Sequence, residues 1–369
     1  MTQRTTLAAY RRPILASFIA VVAALFACSN GNDDDYNPPP FNGIGDYAAN
    51  ASTIKASGDT LLLTLQRLEN WAATKPGLLV RIKASTKTVI DTIQLNFYNP
   101  GSTVLSNGKL YVSLQGAYNE DRSIDVTKSG IAVVDLATGT SEILAAGTQL
   151  GGGAGDIALD ETNNILYASV SVSWGNSPVK PINLTAKNVG NALPNISDAS
   201  GGLVFDKEGK KLFVGDRSSG LKIYNTDTKT TTPVGNQDPL LLPYSLAITN
   251  SLLFNFTSDY IYTTGELRWM ALNSTSLSTG ALPFNQDSKV SAAEGNIFIL
   301  SRAQGLGTLS CISSQNIGDA SQIKQKRLEA DNPYDVTVIG NKGYIALNDA
   351  NYVQVFDVST CVLGEKIDF

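Results

Sequence analysis

Gly108-Lys109-Leu110-Tyr111-Val112-Ser113-Leu114, followed after a loop by Gly130-Ile131-Ala132-Val133-Val134-Asp135-Leu136, decides the fold. The first stretch is a tight turn running into a strongly apolar strand, and the second alternates at period two and ends on a polar residue that opens a turn, Ala137-Thr138-Gly139-Thr140. The same sentence is written again along the chain. Apolar strands recur as Leu61-Leu62-Leu63-Thr64-Leu65, Leu166-Tyr167-Ala168-Ser169-Val170, Leu212-Phe213-Val214-Gly215, Leu252-Leu253-Phe254-Asn255-Phe256, Ile297-Phe298-Ile299-Leu300 and Tyr344-Ile345-Ala346-Leu347. Alternating partners recur as Leu221-Lys222-Ile223-Tyr224-Asn225-Thr226 and Val353-Gln354-Val355-Phe356-Asp357-Val358.

Seven such units begin near residues 50, 100, 153, 199, 242, 287 and 332. A period of roughly 40 to 50 residues with four strands per unit is that of propeller blades. The expected fold is therefore all-β, a seven-bladed β-propeller of four-stranded antiparallel blades occupying residues 43–369. Because Ile367-Asp368-Phe369 falls where the last strand of the seventh blade should end, the ring is expected to close without a strand shared between its ends, unless residues 41–49 add one.

These strand and turn motifs resemble the YVTN-type repeats of bacterial surface and periplasmic propellers over nearly the whole chain after the tether. The resemblance implies the architecture and leaves the activity open, since related propellers include ligand-binding lipoproteins, lactonases and quinoprotein subunits.

The N-terminus carries a different message. Arg4, Arg11 and Arg12 precede the largely apolar run Ile14 to Ala27, which ends in Leu25-Phe26-Ala27-Cys28. A basic start, an apolar stretch too short to span a bilayer and a small residue before cysteine resemble a bacterial lipoprotein signal, residues 1–27, with lipidation at Cys28. Residues 28–42, with Asp33-Asp34-Asp35 and Pro38-Pro39-Pro40, then read as an acidic, proline-rich tether. The expected location is the cell envelope, as an outer-membrane lipoprotein facing the periplasm or the surface, held to the membrane by its lipid.

Composition excludes much chemistry. The chain has no histidine, which removes the commonest general base near neutral pH, the commonest metal ligand and the usual haem ligand. Loss of residues 1–27 would move the formal charge from −5 to −8, and the basic residues are scattered, so a nucleic-acid partner is not expected. Gly151-Gly152-Gly153-Ala154-Gly155 lacks the Gly-Lys-Ser/Thr of a phosphate loop and reads as a blade connection. Glu120, Asp121 and Asp125 share one loop without EF-hand spacing. No motif calls for a cofactor or a metal. With Cys28 lipidated, Cys311 and Cys361 remain, either a disulfide or two separate buried thiols.

In such a blade the loop after the second strand and the loop to the next blade lie on one face, around the mouth of the channel. Those loops contain Trp71, Tyr98, Tyr118, Trp174, Arg217, Tyr244, Tyr260, Arg302, Tyr334 and Asn348, residue types that dominate binding hot spots, and these are the candidate ligand-binding residues. At the blade starts, the competing role for Tyr98, Tyr244 and Tyr334 is to set turns and wedge blades apart. The favoured function is an envelope-anchored propeller that binds a small molecule, glycan or envelope protein on this face, with nutrient capture as one use. The alternative is a propeller enzyme, a lactonase-like hydrolase or quinoprotein-type dehydrogenase, but no pair of residues stands out as catalytic.

Overall fold

The computed structural model describes residues 48–369 apart from 70–71, 120, 122, 260–263, 285–287, 304–305 and 331. Trp71, Tyr260, the signal, Cys28 and the tether lie outside the described residues.

Seven antiparallel sheets follow one another along the chain. Their first strands are Ala48–Ser57, Pro100–Ser106, Gly153–Asp160, Leu203–Asp206, Leu242–Thr249, Ser288–Ala293 and Pro333–Ile339, within a few residues of the repeat starts read from sequence. Each blade runs first, second, third, fourth strand outward; blade 1 adds the short Ala72–Ala73 beside its second strand. The first strands stand side by side around a central channel, and the fourth strands form the rim.

This arrangement explains the sequence pattern. A second strand is covered by a neighbouring blade on both faces, so it is apolar throughout: Leu61, Leu62, Leu63 and Leu65 are all buried. Odd and even residues serve different interfaces. Leu61, Leu63 and Leu65 pack with Tyr344, Val353 and Val355 of blade 7, whereas Leu62 packs with Leu110 and Val112 of blade 2. The fourth strands face water, and Lys324–Arg327 is exposed at every position.

The turns between third and fourth strands are near copies. Asp135, Asn183, Asn225 and Asp357 each accept backbone N–H groups two to three residues ahead. Each turn then passes through a left-handed residue, Gly139, Lys187, Lys229 or Cys361, with φ between 50° and 70°. Cys361 uses this kink to reach Cys311 on the third strand of blade 6; the two are disulfide-bonded, with Cα atoms 6.0 Å apart.

The ring closes without a shared strand among the described residues. Leu363–Asp368 completes blade 7, and Ala48–Ser57 pairs only within blade 1. Closure is by packing and polar clamps instead. Ile367 and Phe369 are buried in one core with Ile54, Leu63 and Val80. Asp335 of blade 7 accepts from Ile54 N at 3.1 Å and pairs with Lys55 Nζ at 2.9 Å, while Asn348 donates to Ala51 O at 3.0 Å. No described helix is long and apolar enough to cross a membrane.

Candidate functional site

The first strand of a blade borders the channel, and five of the seven carry a register shift near their mouth end. The shifts fall between Ala51 and Thr53, Pro100 and Thr103, Ala154 and Ile157, Pro243 and Ser245, and Pro333 and Asp335. A bulge leaves an unpaired residue and re-aims its side chain. The residues displaced include Ser52, Ser102, Asp156, Tyr244 and Tyr334, and all five line a channel cavity of about 460 Å³. That volume is in the range that holds a small organic ligand.

Charge inside the channel is arranged in two groups. Lys55 and Asp335 form one, and Asp335 is saturated: besides Lys55 and Ile54 N it accepts from Val336 N at 2.9 Å and Ser291 Oγ at 3.2 Å. Asp156 and Lys289 form the other. Burial pushes the Asp156 carboxyl up from its ordinary range, with Lys289 and a hydrogen bond from Ser102 opposing the rise without cancelling it. Lys289 Nζ lies 3.5 Å from the centroid of the Tyr334 ring, a cation–π contact. Among the described residues no carboxylate lies within ion-pair distance of Lys289.

The mouth repeats one motif twice. At the end of a second strand an arginine leans over the tyrosine that opens the next blade: Arg217 lies 5.8 Å from the Tyr244 ring and Arg302 lies 5.7 Å from that of Tyr334. The insertion of blade 2 folds as a hairpin of Ala117–Tyr118 with Ile124–Asp125. Burial first, and then the neighbouring Tyr334 phenol, raise the Tyr118 hydroxyl above its ordinary range, so the two tyrosines share this side of the mouth although Tyr118 is 55% exposed.

The sequence candidates therefore separate. Tyr244 and Tyr334 line the channel, Arg217 and Arg302 stack on them, and Tyr118 overhangs one side. Tyr98 sits under Lys128, and its backbone holds the blade 2 insertion through Tyr98 N to Lys128 O and Gly116 N to Tyr98 O. Trp174 is 91% exposed at the tip of the Ser173–Asn176 turn, away from the channel wall. Asn348 joins blade 7 to blade 1. In the loop that carries Asp121 and Asp125, Asp125 accepts from Thr127 N and Asp121 from Ser123 N, both as local turn caps. No described cluster of three or more Asp, Glu or Cys is placed to hold a metal.

Sequence reasoning missed Asp156 and Lys289, as well as Lys55 and Asp335. The signal that could have found the two acids is a polar residue inside a first strand: an alternating strand that carries Asp beside Gly155 or Tyr334 has a wet face.

No protein-family model matches the sequence, and no curated protein matches it. Among solved structures the chain is similar to the computationally designed Ika8 protein, at 10% identity and TM-score 0.53, over 85% of this chain and 98% of that one. It also overlaps a chain of the nidogen/laminin complex at 12% identity and TM-score 0.42, over 72% of this chain and 92% of that one, too loose a likeness to carry an argument. At these identities the likeness concerns fold alone: the chain is a seven-bladed β-propeller.

Proposed function

We propose that this chain is an envelope lipoprotein of the YVTN type whose propeller captures a ligand in the mouth of its central channel. The observation that carries the proposal is the convergence of bulged first strands on one cavity, which gathers Tyr244, Tyr334 and Asp156, beside Lys289 of the regular first strand of blade 6, where a closed core would have apolar side chains. Bulges cost ladder hydrogen bonds, and polar groups in a channel cost desolvation, so their concentration at one level suits recognition better than stability. The lipobox-like Leu25-Phe26-Ala27-Cys28 and the polar tether support membrane anchoring, which would keep the ligand at the envelope. Nutrient capture fits both features.

The test is thermal unfolding with corrinoids, haem, quinone cofactor, calcium and oligosaccharides, on the wild type and on Gly101→Trp. Gly101 lines the cavity, and an added Cβ there meets nothing closer than Ser113 Oγ at 3.6 Å, so the backbone accepts a side chain at this position and a bulky one is expected to take up channel space. A stabilising ligand whose effect disappears in Gly101→Trp supports the proposal; one that acts equally on both binds elsewhere.

One observation favours the enzymatic alternative. A carboxyl with a raised pKa in a cavity beside a lysine is the kind of group that serves as general acid or base. Turnover of a lactone or quinone-linked substrate that falls in Asp156→Asn would favour the enzyme.

A further inference from the structure

We infer that the ligand of this channel is a small organic carboxylate, its charge received by Lys289. The inference rests on the channel being the binding site and adds the chemical class of what enters it. Four ionisable side chains of opposite sign line the cavity, and they do not play equal parts. Lys55 and Asp335 satisfy each other, and Asp335 takes three further hydrogen bonds as part of the clamp between blades 7 and 1. That pair is occupied with holding the ring shut.

Lys289 is in a different position. It lines the cavity, its closest described partner is the face of the Tyr334 ring, and no described carboxylate comes within ion-pair distance. A ring quadrupole is a partial counter-charge worth about 0.5–2 kcal/mol, less than a desolvated ammonium gains from an anion. Asp156 lines the same cavity, and burial disfavours its charged form, with Lys289 and Ser102 opposing that rise. An ammonium with no described counter-ion, facing a cavity, is complementary to a carboxylate, which can accept a charge-assisted hydrogen bond from it. One unpaired positive charge matches a monoanion better than a phosphate dianion.

The experiment is calorimetric titration of the full chain with probes matched in shape and different in charge: benzoate, benzamide and benzylamine, and glucuronate, glucose and glucosamine. The expected result is millimolar or tighter binding of at least one carboxylate, with its neutral counterpart at least about tenfold weaker, the size of one charge-assisted hydrogen bond. Lys289→Met and Lys289→Gln should erase that preference, and Lys289→Arg should keep it; two neutral variants are used so that a folding defect in one does not decide the matter. Equal or better binding of the neutral or cationic probes, lost in Gly101→Trp, would overturn the carboxylate and leave the channel as the binding site. Absence of binding by every carboxylate at millimolar concentration would also overturn it. Binding that survives Gly101→Trp would contradict the carboxylate and the channel together.

Discussion

Asp216 and Asp156 show how two carboxyls on one scaffold are pushed in opposite directions. Asp216 is fully buried behind the mouth of blade 4, where burial alone would raise it, but hydrogen bonds from Ser218 and Ser197 and the Lys222 ammonium at 2.9 Å outweigh this and hold it at about 2. A lowered pKa in the folded state means a stabilising contribution that is present above the ordinary carboxylate range and is lost as the pH falls toward about 2. Asp216→Ala strands Lys222, whose side chain is 12% exposed, and should cost about 3–5 kcal/mol in chemical denaturation near neutral pH. Asp156 has the opposite sign. Its raised pKa makes its contribution favourable below the ordinary range and lost as the pH climbs through the raised value. With Lys289 as the cation acting on it, and Lys55, Asp335, Tyr244 and Tyr334 lining the same cavity, Asp156→Asn should raise the thermal midpoint at neutral pH and leave it unchanged in strong acid. A loss of stability at neutral pH would contradict this. Neither residue announced itself in the sequence. Whether an Asp in an alternating strand meets solvent, a lysine or a channel depends on which way a bulge turns it, and a bulge is set by pairing with another strand.

The third-to-fourth strand turns were far more legible, because their determinants are local. An Asp or Asn followed four residues later by a left-handed residue makes the same turn in blades 2, 3, 4 and 7. In blade 7 the left-handed position is Cys361, φ 60°, where blade 2 has glycine. Its disulfide to Cys311 ties neighbouring blades across 50 residues of sequence. Sequence placed both cysteines correctly relative to their strands but not relative to each other, since the distance depends on how far blade 6 rotates from blade 7. A cross-link of this length should contribute about 2–4 kcal/mol by restricting the unfolded chain. Reduction, or Cys311→Ser, should lower denaturant stability by that amount, and an unchanged midpoint on reduction would show that the bridge does not support the fold.

Seven blades make a ring only if the ends meet, and here they meet through side chains. Many propellers of this size borrow a strand from one terminus; this chain completes blade 7 with its own Leu363–Asp368 and seals the joint with Phe369, Ile367 and the Lys55–Asp335 clamp. Phe369→Ala should cost about 3–5 kcal/mol, as for other buried phenylalanines. A cost near zero would mean that the ring tolerates an open joint. The number of blades, their order and their starts were written in the repeat, whereas the channel's contents emerged only when seven first strands were set around one axis. Tyr244 and Tyr334 could be picked out beside their prolines; Lys289, in a sequence that looks like any other strand, could not. The most direct experiment is the ligand-induced shift in thermal midpoint compared between the wild type and Gly101→Trp. A ligand at about 100 times its dissociation constant stabilises by about 2.7 kcal/mol. A shift present in the wild type and absent in the filled channel is the predicted result, and an equal shift in both would place the binding site outside the channel.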